Sequence, residues 1–147
     1  MSDAPIVFAA LLTTGSSPAE DVVLEAAALR EDGAGGATEF ERLADAGPLS
    51  PLLKECTGLT ERDVRGRPRP SAVLRELLRF CGDAPVVVWD APLFCAFLEA
   101  GRQKARQCLD GLRLARIVRP QALDYSLENV AAGLGLGEEP AQPERLE

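Results

Sequence analysis

Pro5-Ile6-Val7-Phe8-Ala9-Ala10-Leu11-Leu12-Thr13-Thr14-Gly15 and Val86-Val87-Val88-Trp89-Asp90-Ala91-Pro92-Leu93-Phe94-Cys95-Ala96-Phe97-Leu98 are the two stretches on which the fold turns. The first is a nearly unbroken apolar run that closes on the turn residues Gly15-Ser16-Ser17-Pro18. That pattern is expected of a strand buried on both faces. The second opens on a run of valines behind Pro85, the clearest strand signal in the chain. It passes directly into a helical segment carrying Phe94, Phe97 and Leu98 and ending near Gly101. Between them the two stretches hold a single carboxylate, Asp90.

Working outward, Val22 to Leu29 is a second apolar segment. Its alanines permit a helix, but its short length and flanking turn residues are those of a strand. Asp32-Gly33-Ala34-Gly35-Gly36 reads as a hairpin loop, and Ala37 to Leu43 alternates around Phe40 as a third strand. Past Pro48 the pattern becomes helical. Pro51 to Cys56 is a short turn, and Thr60 caps another through Val64. Ser71 is the expected cap of an amphipathic helix that places Val73, Leu74, Leu77, Leu78 and Cys81 on one side and ends at Gly82. Cys108-Leu109 reads as an edge strand. Asp110 caps a helix with Leu112, Leu114, Ala115 and Ile117. Ser126 caps a last one with Leu127, Val130, Ala131 and Leu134. Three antiparallel strands followed by parallel ones with helical crossovers give a mixed α/β sheet. The expected domain is 1–136, and 137–147 is expected to be a polar, mobile tail.

Composition narrows the function. The 147 residues are 46% hydrophobic, enough for a core, and carry a formal charge of −7. That sign opposes a general electrostatic grip on DNA or RNA. No apolar run reaches the roughly 20 residues of a membrane helix, and the N-terminus has no secretory pattern, so a cytoplasmic protein without membrane contact is expected. The cysteines at 56, 81, 95 and 108 form no C-x-x-C pair, and histidine is absent. They read as reduced core thiols, not zinc ligands. Arginines cluster at 62, 65, 67 and 69, with further basic groups at 102–106 and 113–119. They read either as solvated surface or as contacts to a nucleic-acid backbone.

Phe8 to Gly15 resembles the F-D-x-E-T-T-G strand of the DnaQ-like (DEDD) 3′–5′ exonucleases, a family of the ribonuclease-H-like superfamily. Val88 to Leu98 is similar to their H-N-A-x-F-D-x-x-F-L segment. Further likenesses follow in order: Val23 to Ala28 to the I-I-E-I-G-A strand, Phe40-Glu41-Arg42-Leu43 to F-x-x-L, and Thr57 to Val64 to T-G-I-T-x-x-x-V. Leu109 to Arg116 resembles D-T-L-x-L-A-R, with Gly111 for Thr, and Tyr125 to Leu136 resembles Y-S-L-x-x-L-A-x-x-L-G-L. The resemblance spans residues 5–136 and implies a ribonuclease-H-like mixed sheet with flanking helices.

It also implies chemistry. Family members hydrolyse a phosphodiester with two magnesium or manganese ions, held by four carboxylates beside a His or Tyr. Here Ala10 and Leu12 stand at the first two ligand positions and Phe94 at the third. The family's final helix, with the fourth carboxylate, has no counterpart. The expectation is a catalytically incomplete member with no catalytic residue, metal or cofactor, acting as a binding module in DNA replication, repair or processing. A partner protein or second copy is expected to cover the face the final helix would occupy. The alternative is a divergent, active 3′–5′ exonuclease built on a residual site of Asp90, Asp110 and Glu25. Helix capping by Asp90 and Asp110 is the plainer reading of those two residues.

Overall fold

A computed structural model describes residues 4–104 and 106–136. The expected tail, 137–147, lies outside them. β1 (Ile6–Thr13), β2 (Val23–Glu31) and β3 (Ala37–Leu43) form an antiparallel meander. β4 (Val86–Val88) and the two-residue β5 (Leu109–Asp110) continue the sheet in parallel, giving the order β3-β2-β1-β4-β5. The apolar segment with alanines is therefore a strand: pairing with β1 and β3 along its length overrides its helix-permissive composition. The hairpin turn closes through the Asp32 N–H, which donates to the Gly36 carbonyl at 3.0 Å, with Gly35 at a φ of 90° that favours glycine.

Helices α3 and α4 cover one sheet face. α1 (Pro51–Thr57) and α2 (Glu61–Val64) precede α3 (Pro70–Cys81), and α4 (Ala91–Ala100) follows β4. The main core gathers Val7 and Ala9 of β1, Ala26 and Ala28 of β2, Val86 and Val88 of β4, Val73, Leu74, Leu77 and Cys81 of α3, and Phe94, Phe97 and Leu98 of α4. Phe40 packs on Phe80 with ring centroids 5.4 Å apart, joining β3 to α3. Arg30 donates to the carbonyls of Phe80 and Cys81 at the last turn of α3, where a cation complements the helix dipole. A second cluster of Leu24, Leu49, Leu59 and Val64 takes in Leu12 and Leu43 where α1 and α2 fold over the far end of the meander.

Several expectations are corrected. β1 is buried on one face only: Val7 and Ala9 are in the core, while Ile6, Phe8 and Ala10 are exposed. Its unbroken apolar run hides a period-2 asymmetry that composition cannot reveal. The cap of α3 is Arg69, with Pro70 at the first helical position, two residues before the expected cap Ser71; proline's fixed φ suits that position. α5 (Gly111–Val118) and α6 (Leu127–Gly133) form as read from their Asp110 and Ser126 caps, but their apolar sides are largely uncovered. Leu114 is 61%, Ile117 71% and Leu127 53% exposed, whereas Ala115 and Val130 are buried. Cys56 is exposed and so is not a core thiol, while Cys81 is buried and Cys95 and Cys108 are half-buried. Among the described residues no helix is long and apolar enough to cross a membrane.

Leu77 is fully enclosed between α3 and the sheet. Leu77→Ala is expected to lower unfolding free energy by about 3 kcal/mol in urea titrations. The exposed Ile117→Ala is expected to stay within about 0.5 kcal/mol of the parent.

Candidate functional site

The C-terminal ends of β1 and β4 open onto a cleft of ≈ 240 Å³ lined by Ala9, Ala10, Leu11 and Thr13 from β1, Trp89 from the end of β4, and Leu93, Phe94 and Phe97 from α4. Ligand sites of open α/β sheets favour this place, because strand ends and helix N-termini converge there. The structure thus brings Ala10 and Phe94 to one cleft. Leu12 diverges from them: it packs with Leu43 into the second cluster. A methyl group and a phenyl ring supply no oxygen donor, so the residues at these positions do not fit a hard divalent cation. Phe94 is only 5% exposed, and its ring belongs to the core.

The three carboxylates of the residual set are not gathered. Asp90 is the N-cap of α4; its Oδ1 accepts the Leu93 N–H at 3.3 Å, and its backbone is left-handed at φ 64°. Aspartate is among the few residues that tolerate this conformation, since its short side chain bonds locally. Asp110 caps α5, with Oδ1 accepting the N–H groups of Leu112 at 3.0 Å and Arg113 at 3.3 Å. Glu25 sits on β2 between Leu12 and Leu43 in register. Among the described residues no group of three His, Cys, Asp or Glu side chains is placed to hold a metal ion.

The cleft walls are held by groups whose roles the sequence did not disclose. Asp21 closes the Thr13-Thr14-Gly15 loop: its carboxylate accepts the Thr14 hydroxyl at 3.1 Å and the Ser17 N–H at 3.0 Å, and a β-carbon at Gly15 would collide with it. An acidic residue just ahead of the β2 apolar run was the available signal. Trp89 is pinned by its Nε1–H donating to the Tyr125 carbonyl at 3.2 Å. Gly111 makes room for the indole, since a β-carbon there would lie 3.0 Å from Trp89 Cε3. The departure from Thr at 111 is thus matched to a large ring at 89. Tyr125 has a packing role: its hydroxyl donates to the Arg119 carbonyl at 2.7 Å and Arg116 lies over its ring.

The basic groups divide. Arg106 donates to the carbonyls of Gly82 and Ala84, both at 2.8 Å, fastening the segment before β5 to the α3–β4 turn. Arg119 donates to the Gly133 carbonyl. Arg62 in α2 and Arg65, Arg67 and Arg69 on the α2–α3 loop remain exposed, and the Arg67 Nε donates to the Asp63 carbonyl at 3.2 Å. Cys95 and Cys108 both donate to the Arg106 carbonyl. Burial, with Cys95 close by, pushes the Cys108 thiol up to about 11.

This architecture has known counterparts. PolC-type DNA polymerase III of Halalkalibacterium halodurans is 32% identical over a region covering 80% of this chain, and that of Streptococcus suis is 29% identical over 92%. The chain spans about a tenth of the length of these relatives (9% and 10%). Among solved structures, an ExoI/SSB-Ct complex superposes with a TM-score of 0.71, covering 95% of this chain and 38% of that one at 16% identity. E. coli exonuclease I bound to a dT13 oligonucleotide superposes with a TM-score of 0.66, covering 91% and 36%. Identities this low speak for the fold alone. No family model matches the chain. With the ordered motifs and the 3-2-1-4-5 sheet, these relatives place the chain in the DnaQ-like exonuclease family, with the ribonuclease-H-like fold.

Two outcomes follow from the site. Asp90→Gly is expected to cost less than Asp90→Ala, because glycine tolerates the positive φ. Asp90→Ala loses both the cap and that tolerance, at about 1–2 kcal/mol by urea unfolding. The raised Cys108 pKa means that the fold favours the protonated thiol. Its contribution is full below the unfolded value of 9.0 and is lost as pH rises toward about 11. The urea midpoint of the parent is expected to fall more steeply over that range than that of Cys108→Ala.

Proposed function

We propose that this chain is a non-catalytic exonuclease-fold module that acts by binding within a DNA replication or repair assembly. One observation carries the reading: Ala10 and Phe94, at two positions where the family resemblance implies carboxylates, meet in one cleft and offer it only carbon. Two-metal hydrolysis needs anionic oxygens around both ions. Refilling the site with apolar side chains removes like charges that would repel one another without metal. Asp90 and Asp110 support the same reading, since each already accepts N–H groups at a helix start. The DNA setting is drawn from the relatives, which are named DNA polymerase III, and from exonuclease I, solved with an oligonucleotide. The exposed Arg62, Arg65, Arg67 and Arg69 are the surface best suited to a phosphate backbone. Aromatic stacking platforms are scarce, so any such contact is electrostatic and weakens with salt.

The test is direct. Purified protein is incubated with 3′-labelled single-stranded DNA in magnesium and in manganese, and manganese binding is followed by calorimetry. Neither digestion nor a binding isotherm is expected. Metal-dependent 3′–5′ digestion that Asp90→Ala abolishes would instead establish the divergent enzyme.

A further inference from the structure

The sheet face turned away from α3 and α4 carries a shallow trough of ≈ 400 Å³. Phe8, Ala10, Ala27 and Leu29 form its apolar floor, Leu127 completes the lining, and Glu39 and Glu41 stand along the β3 edge. Strand register fixes this arrangement. Glu39, Leu29, Phe8, Val87 and Leu109 lie abreast across all five strands, and Glu41, Ala27 and Ala10 form the row beside them. Phe8 is 42% and Leu109 59% exposed. A sheet face of this kind is ordinarily covered by another layer of secondary structure, and the described residues supply none beyond the tip of α6. The adjoining alanines, Ala10 and Ala27, lower the floor beside the bulkier Phe8 and Leu29, so a single helix can settle against the strands.

Charge selects among occupants. Glu39 and Glu41 make no ion pair with any described residue, and Glu31 projects from the same face at the next row. An occupant with lysine or arginine along that edge is attracted, and one with acidic residues there is repelled. A second copy of a chain with formal charge −7 has the wrong overall sign. We infer that this trough is a docking surface for an amphipathic helix of a partner protein, apolar on one side and basic along the edge that meets Glu39 and Glu41. The inference rests on the reading of the chain as a binding module and gives that module its partner's chemistry.

The probe is a fluorescent peptide of about 18 residues, roughly 27 Å long as a helix, with a leucine–alanine stripe and lysines along one edge. A twin carries glutamates at the lysine positions. By fluorescence anisotropy the lysine peptide is expected to bind and the glutamate twin to fail. Ala27 is half-buried on the open face, away from the main core, so Ala27→Glu alters the floor without touching the packing on α3. It is expected to weaken binding tenfold or more while keeping a cooperative melting transition. Glu39→Lys combined with Glu41→Lys is expected to invert the preference between the peptides. The inference is overturned if the parent binds neither peptide, if it binds both alike, or if Ala27→Glu binds as the parent does. It is equally overturned if sedimentation equilibrium gives a two-chain mass that Ala27→Glu returns to one chain, since a second copy would then be the occupant. Failure here with no nuclease activity removes only the partner chemistry, whereas metal-dependent digestion removes the non-catalytic reading.

Discussion

The pleat of β1 is the constraint from which the rest follows. β1 lies in the middle of the sheet, antiparallel to β2 and parallel to β4, so neither neighbour can slip without the other. With a side-chain period of two, Val7 and Ala9 are committed to the helices while Phe8 and Ala10 face the opposite way. A one-residue slip would turn Phe8 and Ala10 into the core and expel Val7 and Ala9. Register alone therefore sets the main core, the composition of the cleft at the strand's end and the open trough behind it.

The cleft owes its place to the ends of two strands and its walls to local bonds. The loop around Asp21, the pinned Trp89 and the left-handed Asp90 build a concavity at the ends of β1 and β4. Its lining is mostly apolar, and Phe94 contributes to the core as much as to the cleft. The nearest carboxylates serve local backbone needs: Asp90 and Asp110 begin helices, and Asp21 closes a loop. In each case a short side chain answers unpaired N–H groups, a requirement set by the fold and indifferent to catalysis.

Much of this was legible beforehand because it rests on local rules. Asp110 and Ser126 begin helices because their oxygens reach the N–H groups of the first turn, and Gly82 ends α3 with a φ of 55°. The strand nature of the Ala-rich segment, the hairpin at Asp32–Gly36 and the succession of three antiparallel strands by parallel ones were readable from turns and motif order. The start of α3 was misread by two residues because serine and proline both suit helix starts and only backbone geometry separates them. The exposure of Leu114 and Ile117 was hidden because a sequence displays an amphipathic face but not whether anything covers it. The structural duties of Arg106 and Asp21 were hidden because their partners are brought close only by the folded chain.

By itself, the sequence determined that this chain would build a mixed α/β sheet, through turn residues and periodicity, and the motif resemblance marked that sheet as DnaQ-like and placed Ala10, Leu12 and Phe94, side chains with no oxygen, at its ligand positions. Only the tertiary structure decided that Ala10 and Phe94 share a cleft while Leu12 turns away, and that one face of β1 lies open beside Glu39 and Glu41. The physical reason is that burial and proximity belong to the register between strands and the layer packed above them, and neither is a property of any single segment.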